Sequence, residues 1–97
     1  MKKARFDKGA AEQIAVSALS FVASDPELLP RFLAITGIEA SQIRRAAEEP
    51  GFLAGVLEFI LAHEPTLDAF AAYADIDPAD VGAALRALSE EDGDATT

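Results

Sequence analysis

The stretch GFLAGVLEFILA, residues 51–62, decides the fold. It is apolar nearly all round, and only Glu58 interrupts it. A helix that is hydrophobic on every side is a buried one. Its 12 residues fall short of the roughly 18 that a membrane span requires. The segment therefore predicts the central, most buried helix of an all-α domain, over 51–62, with Pro50 as its start signal.

Working outward, the same punctuation recurs. Asp25-Pro26-Glu27, Pro65 and Asp77-Pro78 each place a helix start, by an acceptor side chain, a proline in the first turn, or both. Six short helices are expected in all, over about 10–23, 30–36, 40–48, 51–62, 65–74 and 78–89. Pro30 would kink a second helix begun at Pro26, so a turn is expected over 26–29. Leu29, Phe32, Leu33, Ile35, Leu67, Phe70 and Tyr73 are expected to face the core. Gly37 closes the second helix, where a left-handed residue is wanted.

A shift of 38 residues brings the two halves into register. Leu19 meets Leu57, Phe21 meets Phe59, Leu29 meets Leu67, Phe32 meets Phe70, Ala34 meets Ala72, Ile38 meets Ile76 and Ala46 meets Ala84. The matches fall on expected core positions of all three helices in each half. The bundle therefore reads as two three-helix units, 12–49 and 50–87, that share one core around the first and fourth helices. Gly37 aligns with Asp75, so both should close a helix.

The 97 residues form one domain. Hydrophobic residues make up 51%, which excludes disorder of the whole chain. Cysteine is absent, so disulfides, thiolate zinc sites and cysteine nucleophiles are excluded, and a reducing cytoplasm fits. The net charge of −9 is uneven: residues 1–8 carry +3 and residues 9–97 carry −12. A flexible basic arm over 1–9, a helical body over 10–89 and a flexible acidic tail over 90–97 are expected. The charged residues Asp7, Lys8 and Glu12 stand where the apolar region of an export signal would lie, so none is expected. An acidic body repels phosphate backbones and anionic membranes.

Three constellations bear on chemistry. His63 is the only histidine and adjoins Glu64, a pairing that serves acid–base catalysis, or else a cation completing a helix C-terminus. Asp75, Asp77 and Asp80 begin somewhat like a calcium loop but lack its later glycine and glutamate; Asp77 reads as a helix cap and Asp80 as a helix-dipole residue. Helix, Gly37 turn and helix over 32–46, with Arg44 and Arg45 on the second helix, share the shape of a helix-turn-helix. The same two arginines, followed by Glu48 and Glu49, read as an exposed face with i,i+4 pairs.

The segments Leu19 to Pro26, Arg31 to Ile38, Gly51 to Leu61 and Ala69 to Ala72 together resemble a bacterial domain-of-unknown-function family. That resemblance covers about residues 12–88. It implies a small, stand-alone, all-helical bacterial protein, and assigns no activity, substrate or site residue.

The expected function is a non-enzymatic protein-interaction module, with Arg44 and Arg45 as the candidate interaction surface. No catalytic residue, cofactor or metal is expected. An unidentified protein is the expected partner, and the scheme admits a homodimer. Nucleic acid is disfavoured by the charge and membrane by the lack of a span. The alternatives are a nucleic-acid-binding module using the 40–48 helix and a small enzyme around His63.

Overall fold

A computed structural model describes residues 8–94. Among these the chain forms α1 (Lys8–Ser24), α2 (Leu28–Thr36), a 3-10 turn (Ala40–Gln42), α3 (Ile43–Ala46), α4 (Pro50–Leu61), α5 (Glu64–Ala74) and α6 (Pro78–Asp94). The described residues contain no strand. The expected all-α bundle of six helices is the observed architecture.

The helix starts follow from local donors and acceptors. Asp25 Oδ1 accepts the N–H groups of Glu27 and Leu28, at 2.8 and 3.1 Å. The side chain thereby satisfies donors that have no intrahelical partner. Helix α2 begins at Leu28, two residues earlier than expected. Pro30 is then its third residue, where a missing donor costs nothing, so no kink is required. Before α6, Asp77 Oδ1 accepts the Ala79 N–H at 2.9 Å, as its N-cap reading requires.

Helices α1, α4 and α6 pack against one another, while α2 lies on α1 and α5 on α4. The core they enclose contains Leu19, Val22, Leu53, Val56, Leu57, Ile60, Val81 and Leu88. On α1, Ala11, Ala15 and Ala18 form a fully buried stripe. Such small side chains let neighbouring helices approach closely. Phe32 of α2 and Phe70 of α5 close the core from outside, each almost completely buried.

The 38-residue register reappears in the backbone. Gly37 and Asp75 are the only positive-φ residues described, at 78° and 59°. They close α2 and α5 respectively. Core positions also pair: Val22 with Ile60 and Phe32 with Phe70 are buried in both halves. The likeness ends at the third helix. Val81 and Ala84 of α6 are fully buried. Their counterparts Ile43 and Ala46 are only half-buried.

Further expectations change. The helix expected over 40–48 is a 3-10 turn followed by a four-residue α3. Helix α6 continues to Asp94 rather than ending at 89. Ile35 and Tyr73, expected inward, are 68% and 55% exposed. Of the basic arm over 1–9, residues 1–7 lie outside the described residues, and Lys8 and Gly9 open α1. Of the acidic tail over 90–97, residues 95–97 lie outside them.

Candidate functional site

Phe21 of α1 touches the rings of Phe70 and Tyr73 on α5, with centroids 5.6 and 5.2 Å away. Phe59 of α4 meets Phe32 of α2 at 5.3 Å. Under the 38-residue shift these are one contact made twice: Phe21 corresponds to Phe59, and Phe70 to Phe32. Each ring pair joins one unit to the other. The two halves therefore grip each other reciprocally, as the two sides of an isologous interface do.

Above this ring pair lies an open depression of about 250 Å³. Its rim is built from equivalent positions of the two units: Asp25 and His63, Glu27 and Pro65, Leu28 and Thr66, Arg31 and Ala69. The backbone is thus repeated across the groove while the chemistry is not. One side carries two carboxylates and a guanidinium, the other an imidazole and small side chains.

Ile35 and Tyr73 stand one turn beyond Arg31 and Ala69 on the same two helices, outside the residues that line the depression. Leu28, Arg31 and Ile35 recur at helical spacing on α2, as do Thr66, Ala69 and Tyr73 on α5. They are also equivalent to each other under the repeat. Periodicity placed both on apolar stripes but did not say whether another element covers them. The repeat register was the available signal, because it ties their fates together.

His63 links α4 to α5. Its backbone is extended, at φ −135°, and it occupies the N-cap of α5. Its Nδ1 lies 2.8 Å from Oγ1 of the buried Thr66. No hydrogen bond or ion pair joins His63 to Glu64 among the described residues. The ring also faces the start of α5 rather than completing the end of α4.

Arg44 and Arg45 are exposed on α3. They line an open depression of about 620 Å³ together with Gln42, Glu48 and Glu49. The expected pairs with Glu48 and Glu49 are absent among the described ion pairs. The cause is local: after Ala46 the chain tightens, and Glu48 and Glu49 donate their N–H groups to carbonyls three residues back. The i,i+4 spacing those pairs require is lost. Asp75, Asp77 and Asp80 are spread over a helix end, a cap and a first turn. No group of three candidate metal ligands occurs among the described residues.

The profile of a family described as "Protein of unknown function (DUF3572)" matches residues 8–91. The chain belongs to this family. No curated protein and no solved structure matches it. The match to DUF3572 runs from α1 through most of α6, so both units fall within the family's extent. No helix among the described residues of this DUF3572 chain is long and apolar enough to cross a membrane.

Proposed function

We propose that this DUF3572 protein is a non-enzymatic protein-interaction module whose docking face is the groove between α2 and α5. The supporting observation is the pair Ile35 and Tyr73, 68% and 55% exposed at equivalent positions one turn beyond the residues that line the groove. Large apolar side chains exposed beside a concave, polar-rimmed surface are the ordinary make-up of a binding site. Arg44 and Arg45 sit on a separate surface, in which Glu48 and Glu49 offset their charge toward a phosphate backbone. The reading extends to a bacterial cytoplasmic setting, with which the cysteine-free sequence agrees.

Affinity capture from bacterial lysate with paired variants tests the proposal. A protein retained by the wild type and by Arg44→Ala/Arg45→Ala, but lost with Ile35→Glu/Tyr73→Glu, is the expected result. Capture that survives Ile35→Glu/Tyr73→Glu and fails with the arginine variant would move the site to α3.

A further inference from the structure

We propose that residues 38–49, which carry the 3-10 turn and α3, form a strap that detaches from the bundle as one unit while α1, α4, α5 and α6 stay packed. The carrying observation is an asymmetry between α3 and α6, which the 38-residue register makes equivalent.

In the second unit, Val81 and Ala84 of α6 are fully buried. In the first, their counterparts Ile43 and Ala46 are half-buried, and neither the 3-10 turn nor α3 contains a buried residue. Among the described residues, no buried member of the core lies between Phe32 and Leu53. The core is therefore complete without the segment. Ile43 and Ala47 rest against that core from outside. Ile43 is the one large side chain of the pair, and a helix this short depends on packing for its stability. Neither the 3-10 turn nor α3 packs on another helix as closely as α2 packs on α1.

The polar bonds of the segment are its own. The Glu39 N–H donates to Gln42 Oε1 at 2.9 Å, and the Gln42 N–H returns a bond to the Glu39 carbonyl at 2.8 Å. The Ala47, Glu48 and Glu49 N–H groups donate to carbonyls of Ile43, Arg45 and Ala46. Among the described residues, one bond leaves the segment, from the Leu53 N–H to the Glu49 carbonyl.

Both ends are built to move independently of their neighbours. Gly37, at φ 78°, closes α2 before the segment begins. Pro50 opens α4 and has no N–H to continue α3 into it. The strap can therefore swing without melting either helix. No residue of it lines the α2–α5 groove. Its release uncovers Ile43, Ala47 and the edge of the core beneath them, an apolar surface that the closed form hides.

Native-state hydrogen exchange on the full chain tests this, because it reads the opening of each region separately. Corrected for intrinsic rates, the Gln42, Ala47, Glu48 and Glu49 amides should exchange about a hundredfold faster than those of Val56 and Leu57 in α4. Ile43→Ala should accelerate all four together, by about tenfold. Val81→Ala weakens the core in both the closed and the open form. It should accelerate the α4 amides by about tenfold or more and leave the strap amides unchanged. Equal acceleration of strap and α4 by Val81→Ala would overturn the proposal, since the segment would then open only with the whole fold. So would unequal responses of the four strap amides to Ile43→Ala, which would mean that they fray singly. If Val81→Ala does not fold, low urea on the wild type makes the same distinction. Exchange in α4 should rise steeply with urea and exchange in the strap only weakly, whereas equal slopes would contradict the strap.

Discussion

Gly37 and Asp75 stand 38 residues apart, take the same left-handed backbone conformation, and close equivalent helices. Their φ values are 78° and 59°. Glycine adopts this conformation freely, whereas aspartate does so at a cost. Asp75→Gly should therefore stabilise the fold, by about 0.5 kcal/mol once the added freedom of the unfolded chain is subtracted. Gly37→Ala should destabilise it by about 1 kcal/mol, through backbone strain alone. Nothing lies within 4 Å of a Cβ built at Gly37, so no clash contributes. Thermal melts of the two variants moving in opposite directions would confirm the equivalence.

Phe32 and Phe70 provide the second expectation. They are 1% and 0% exposed, at matching positions on α2 and α5. Each closes the shared core with a ring that also contacts the opposite unit. Phe32→Ala and Phe70→Ala should each cost about 3–5 kcal/mol in chemical denaturation. A small effect at either site would mean that the halves do not share one core.

Helix capping separates the two Asp-Pro starts. Asp25 accepts two backbone N–H groups, and Asp77 accepts one. Asp25→Ala should cost about 1 kcal/mol, and Asp77→Ala somewhat less. Asn at either position should retain most of the stability, because its side-chain oxygen still accepts. Urea titrations of the four variants check the ranking.

Much of this was legible in the sequence because helix boundaries are written in residues with few alternatives. Asp25-Pro26, Pro50, Pro65 and Asp77-Pro78 each mark a start within two or three residues. Gly37 marks an end, and the 38-residue register extends that mark to Asp75. The third helix was less legible. Its segment has one large apolar residue, Ile43, to bury, and short helices need packing to offset the cost of nucleation. It forms one 3-10 turn and one α-helical turn, and the Arg44 and Arg45 pairs expected with Glu48 and Glu49 do not form. Ile35 and Tyr73 were misplaced for a different reason. Helical period shows which residues share a stripe, but not which stripe another helix will cover.

The exposed pair also predicts a separation of stability from binding. Ile35→Glu should change stability by no more than about 0.5 kcal/mol, as exposed substitutions usually do. Tyr73→Glu also removes the ring contact with Phe21 and should cost about 1 kcal/mol. Both should abolish capture at the α2–α5 groove. Melting curves alongside capture yields distinguish this outcome from simple unfolding.

Tyr73 is the only tyrosine in the chain, so one fluorine label reports on the groove alone. The decisive measurement is 19F NMR of the 3-fluorotyrosine protein, titrated with whichever protein or segment it binds. A docking face between α2 and α5 predicts that the single resonance shifts or broadens in step with complex formation. A sharp, unmoved Tyr73 signal in a demonstrably formed complex would contradict it.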